Sequence, residues 1–126
     1  MKRLWAVLIL MVLIAAICTA GYITIEGYRD KTVTTLQAAM AAANSGDYKK
    51  AEELAKQAET TWIDAEQKLS IFVNHSQLSE VGLSVAKLAP LIKDGSVGEF
   101  NAECSLSIVQ LIHISNREKF RWENFI

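Results

Sequence analysis

The longest unbroken hydrophobic period in the chain lies between Asp47 and Phe72. Tyr48, Ala51, Ala55, Ala58, Trp62, Ala65, Leu69 and Phe72 recur at steps of 3, 4, 3, 4, 3, 4 and 3. That spacing keeps one face of an α-helix against a partner helix for more than three heptads. At about 1.5 Å per residue this helix is roughly 39 Å long. Four of the eight seam residues are Ala, so a neighbour can approach closely in the middle, while Trp62, Leu69 and Phe72 add bulk near one end.

The same period marks helices on either side. Val33, Leu36, Met40 and Ala43 step 3, 4, 3 and predict a helix over Glu26 to Ala43, with a weak junction at Gly27. Asn44 to Asp47 reads as a turn in which Gly46 takes left-handed geometry and Asp47 caps the next helix. Val73 to Ser76 is the next break, with Asn74 and Gln77, or Ser76 alone, as the cap. Leu78, Val81, Val85, Leu88 and Ile92 step 3, 4, 3, 4, and Pro90 is expected to kink or loosen the last turns. After Lys93 to Ser96, a capping box of Ser96 and Glu99 opens a fourth helix, expected to reach about Asn116. Its apolar side holds Phe100, Cys104, Leu106, Ile108, Leu111 and Ile112. Arg117 to Ile126 reads as a tail with Phe120, Trp122 and Phe125 among charges. A weak echo at an offset of 52 residues maps Gly46, Asp47 and Tyr48 onto Gly98, Glu99 and Phe100. The Gly-Asp-Tyr restart is similar to tetratricopeptide hairpins, but their roughly 34-residue period is absent.

Ahead of these helices, Leu4 to Ile25 is 22 residues without a charge. As a helix it spans roughly 33 Å, against about 30 Å of bilayer hydrocarbon. Trp5 and Tyr22 lie near its ends, where amphipathic rings favour the interface. A signal peptide cleaved after Cys18-Thr19-Ala20 is the rival reading; the apolar run continues past Ala20 and favours an uncleaved anchor. Cys18 follows Ile17, which does not suit a lipid-attachment site. Lys2 and Arg3 put the N-terminus in the cytoplasm and the rest outside, although Arg29 and Lys31 on the other flank make that bias small. The expected architecture is all-α: a transmembrane anchor over 1–25, then an antiparallel four-helix bundle of two hairpins over 26–126. Three residues inside the cell argue against a receptor that signals inward by itself.

Charge narrows the function. Of 13 Lys and Arg, two lie at Lys2 and Arg3, leaving 11 against 14 Asp and Glu after residue 25, a formal −3. No basic surplus is available for phosphates, which excludes nucleic acid as a partner. Cys18 lies in the apolar segment and Cys104 far from it, so the two are not paired and read as small buried hydrophobes.

The chain carries no Gly-x-Ser-x-Gly, no Gly-rich loop before a Lys and no His-Glu-x-x-His, so no catalytic residue or cofactor site is assigned. Glu52, Glu53, Glu59, Asp64 and Glu66 fall off the heptad seam and read as a solvated face, with Lys56 and Lys68 as partners. Antiparallel packing brings His75 and His113 to the membrane-near end, where a metal site with Glu80 or Glu118 is the sharp reading. Structural metal sites show closely spaced ligand pairs, which are missing here, and two ordinary helix histidines are the preferred reading. Phe120, Trp122 and Phe125 with Lys119 and Arg121 either touch the bilayer interface or close the base of the bundle; closure is preferred, because a small domain needs the apolar area.

The ordered set of a Lys/Arg start, one span, Gly46-Asp47-Tyr48 through Ala51-Glu52, Trp62, Phe72, His75 before Leu78, Ile112-His113-Ile114, Glu118 and Glu123 to Ile126 resembles a bacterial family catalogued as domain of unknown function 4363. The resemblance covers nearly the whole chain. It implies a small membrane-anchored helical protein, mainly of spore-forming Firmicutes, encoded in some cases beside multi-pass membrane proteins, and hence a membrane partner. It transfers no catalytic residues. The expected function is an accessory protein, not an enzyme, that binds another membrane or envelope protein. Tyr48, Trp62, Phe72, Phe120, Trp122 and Phe125 are its candidate contacts, and an extracytoplasmic small-molecule sensor is the alternative.

Overall fold

Turn chemistry divides the chain. The computed structural model describes the backbone of residues 1–71 and 73–125 and the side chains of 1–71 and 73–117. Its helices are α1 (Lys2–Asn44), α2 (Tyr48–Leu69), α3 (His75–Ala86), α4 (Leu88–Lys93) and α5 (Val97–Phe125), with no strand among the described residues. Gly46 at φ 86° ends α1, and Gly95 at φ 80° ends α4. Each closes a Schellman turn. Asp47 N donates to Ala42 O at 2.9 Å and Gly46 N to Ala43 O at 3.2 Å; Ser96 N donates to Leu91 O at 3.0 Å and Gly95 N to Ile92 O at 3.1 Å. The last carbonyls of both helices are thereby satisfied where only Gly avoids a Cβ clash. The Asp47 carboxylate caps α2 by accepting from Lys50 N at 3.2 Å, and Asn74 Oδ1 caps α3 by accepting from Ser76 N at 3.0 Å.

The packing is a ring of antiparallel neighbours. α1 lies against α2 and α5, and both of these lie against α3 and α4. The seam of α2 forms its core: Ala51, Ala55, Ala58, Trp62, Ala65 and Leu69 are all buried, against Leu36, Ala39 and Ala43 of α1 and Leu78, Val81, Val85, Leu88 and Ile92 across the ring. Each fully buried Leu, Val or Ile contributes roughly 1.5–3 kcal/mol relative to an exposed one. Trp62 satisfies its one polar atom by donating Nε1–H to Leu78 O at 2.9 Å. Phe100, Cys104 and Leu111 close the ring from α5.

The apolar N-terminal stretch continues directly into the first bundle helix as α1, one helix of 43 residues, unbroken at Gly27. A single helical Gly costs only about 1 kcal/mol, and contacts on both sides of it outweigh that. Tyr48, expected in the seam, is 48% exposed, because it stands at the first position of α2, beside the turn. The third helix breaks at Lys87, three residues before Pro90. Pro90 has no N–H for the Ala86 carbonyl and its ring crowds that carbonyl; it therefore sits in the first turn of a new helix, α4. α5 continues past Asn116 to Phe125, so the expected tail is helical. The 52-residue echo is not kept at the turns: Gly98 lies inside α5, and the left-handed glycines are Gly46 and Gly95.

Candidate functional site

The histidines come first, as the sharpest chemical expectation. His75 opens α3 and is exposed; His113 is exposed on α5. His113 borders a cleft of about 100 Å³ with Gln77, Glu80 and Gln110, and His75 does not line it. Among the described residues, no three of His, Cys, Asp and Glu come together at one point. The side chain of Glu118, the other ligand considered, lies outside the described residues.

Polar side chains instead tie helices together. Arg29 donates through Nη1 to Ser115 Oγ at 2.7 Å, linking α1 to α5, and through Nη2 to Asp30 Oδ1 at 2.9 Å. Tyr28 donates its hydroxyl to Asp64 Oδ2 at 2.7 Å, linking α1 to α2, and Lys68 lies 3.3 Å from the same oxygen. The Tyr28 hydroxyl first, and Lys68 second, hold the Asp64 carboxyl below its ordinary 3.8. The same hydroxyl and then Asp64 hold Lys68 above its ordinary 10.5. Lys56 pairs with Glu52 at 3.2 Å on the outer face of α2, as the spacing predicts. Cys104 is wholly buried; burial, with a smaller push from Glu103, raises its thiol to about 12. It stays protonated and inert at neutral pH.

The expected contact residues separate. Trp62 is 2% exposed and therefore packs the core instead of presenting a surface. Tyr48 is accessible at the far end of the bundle. The side chains of Phe72, Phe120, Trp122 and Phe125 lie outside the described residues. A surface that the heptad reading did not separate from the core stands on α5. Between Phe100 and Asn116 its exposed positions are Ala102, Ser105, Leu106, Val109, Ile112, His113 and Asn116. None is Lys, Arg, Asp or Glu, and Leu106, Val109 and Ile112 are each more than two-fifths exposed. The outer face of α2 is the contrast, with Glu53, Lys56, Asp64 and Lys68 exposed. The signal was present in the sequence: apolar residues of α5 fall on two opposite sides of the helix, and one set is enough for the core.

Two open clefts flank Leu83, which is 67% exposed. One, about 330 Å³, runs between α2 and α3 past Glu59, Trp62, Ile63 and Glu66. Gly82 makes room in it, since a Cβ there would meet the Glu66 carboxylate. The other, about 650 Å³, lies at the helix break and is lined by Ala86, Lys87, Pro90, Leu91, Glu99 and Glu103. Among the described residues Glu103 Oε2 is buried without a hydrogen-bond partner.

The N-terminal part of α1 completes the picture. It is long and apolar enough to cross a membrane, and its apolar side chains from Leu4 to Ile17 are exposed. Thr19 and Thr24 return their hydroxyls to Ala15 O at 2.8 Å and Ala20 O at 2.7 Å, which leaves neither hydroxyl group without a partner in an apolar medium.

These features define a class: an all-α bundle whose first helix is prolonged by an apolar stem. Within that class, the chain belongs to the family described as Domain of unknown function (DUF4363), whose profile matches residues 20–125. The matched region begins at Ala20, one residue before Gly21, the first position of α1 that the bundle buries. Comparison with curated proteins and with solved structures gives no match.

Proposed function

We propose that the protein is a single-pass, membrane-anchored accessory protein whose bundle docks a helix of another membrane protein. Leu4 to Ile25 spans the bilayer, Lys2 and Arg3 keep the N-terminus in the cytoplasm, and the bundle stands on the outer side. The observation that carries the docking reading is the outer face of α5. A helix face of about four turns, from Ala102 to Asn116, without an acid, Lys or Arg and bearing Leu106, Val109 and Ile112, is poorly matched to water and well matched to another helix. α5 also runs antiparallel to α1 toward the stem, so a partner helix on this face continues naturally into the membrane.

A photo-crosslinking residue placed at Val109 in native membranes tests this. Capture of one defined membrane protein is expected, with no capture from Lys56 on the charged face of α2. Ile112→Lys abolishes the capture while helicity and melting temperature hold. Capture that survives Ile112→Lys, or occurs equally from Lys56, contradicts the reading, and a product of twice the chain mass replaces the partner with a second copy.

A second reading, a small-molecule sensor, has one observation in its favour: the cleft of about 650 Å³ at the α3–α4 break, with an unpartnered Glu103 oxygen at its wall. It predicts a ligand-induced rise in melting temperature that Leu83→Trp removes.

A further inference from the structure

The stem and the bundle overlap along α1. The first position that the bundle buries is Gly21, and Ile25 follows. Leu4 to Ala20 is only 17 residues, roughly 25 Å of helix, whereas bilayer hydrocarbon is about 30 Å thick. A span that starts at Leu4 is therefore still crossing at about Ile23, where the bundle already packs on it. No linker intervenes, because α1 is helical from Lys2 to Asn44.

The register of the other helices places the base of the bundle at this level. Tyr28 bonds Asp64 across the α1–α2 pair. Seven residues beyond Asp64 is Ile71, and seven before Tyr28 is Gly21. Arg29 bonds Ser115 across the α1–α5 pair. Ten residues beyond Ser115 is Phe125, and ten before Arg29 is Thr19. The turn after α2 and the end of α5 both lie where α1 leaves the lipid. In that turn Ile71 is 82% exposed, the most exposed large apolar side chain outside the stem among the described residues. From Gln67 to Ser79 the chain contains no acid, though acids outnumber bases in the bundle as a whole. Lys68 and His75 are its ionisable groups. Nothing in the segment repels an anionic headgroup.

We infer that the base of the bundle is a second lipid contact, with Ile71, just beyond the C-terminal end of α2, inserted in the interfacial layer. This rests on α1 being a membrane span. The contact fixes the bundle upright on the surface and sets the height of the α5 face above it.

The test uses the full chain in vesicles of phosphatidylcholine and phosphatidylglycerol, with Cys18→Ala to leave only the buried, inert Cys104. Ile71→Cys and, as a control higher on α2, Ile63→Cys are labelled with an environment-sensitive nitrobenzoxadiazole dye. Both sites are exposed, so the fold tolerates them, and a matched melting temperature verifies it. Lipids carrying a nitroxide on the headgroup are expected to quench the dye at position 71 at least threefold more than at 63, with a blue-shifted emission at 71. Equal, weak quenching at both sites in vesicles that still carry the protein on flotation overturns the inference and leaves the span intact. Equal, strong quenching also overturns it, because the bundle then lies on its side. A protein that fails to float with the vesicles overturns the span itself, and this inference with it.

Discussion

Thr32 places a polar group in the core of the bundle. It is wholly buried on α1, and its hydroxyl has no hydrogen-bond partner among the described residues. A buried hydroxyl left unpaired costs roughly 1–3 kcal/mol. Thr32→Val keeps the shape and removes the orphaned group, so chemical denaturation is expected to show a gain of about 1 kcal/mol. Asp64 acts in the opposite sense. Its folded-state carboxyl is held low by Tyr28 and Lys68, so the stability it supplies is present above its ordinary 3.8 and is lost as pH falls through the folded value. Asp64→Asn is thus destabilising at pH 7, and the difference from wild type shrinks as the medium is acidified through the folded-state value, which lies below the ordinary 3.8. A difference that persists unchanged in acid contradicts the assignment. The group is exposed, so salt is expected to weaken the effect.

Turns decide the elements. Gly46 and Gly95 hold φ 86° and 80°, where a Cβ is strained even though open space surrounds both. Gly46→Ala and Gly95→Ala are each expected to lower stability by about 1–2 kcal/mol, measured by the denaturant midpoint with an unchanged slope. The sequence showed most of this level. Heptad spacing identified the buried positions of α2 and of α3 with α4, because on a helix burial follows the period. What it misplaced has local causes. A proline disturbs the carbonyl four residues earlier, so the break falls at Lys87 and not at Pro90. Tyr48 fits the period but stands beside a turn with too little covering it. The α5 surface is not evident from spacing alone, because the apolar residues of this helix fall on two opposite sides. Phe100, Cys104 and Leu111 turn inward, while Leu106 and Ile112 do not. Periodicity reveals an apolar side and does not say which of two sides a partner covers.

At the scale of the molecule, one helix does two jobs. α1 supplies both the apolar stem and the first wall of the bundle, without a hinge between them. In the anchored arrangement we propose, that continuity sets the bundle against the bilayer and carries the α5 face at a fixed height. The most direct test is a cysteine scan along α1 in intact membranes, read by a membrane-impermeant maleimide in a Cys18→Ala background. Positions 7–17 are expected to stay unlabelled in lipid. From Gly21 onward, labelling is expected to follow the helical period without interruption through Gly27: protected at 21, 25, 32, 36 and 39, and labelled at 30, 34, 37 and 41. Water-accessible labelling at 7–17, or a loss of the period between residues 21 and 32, contradicts the account.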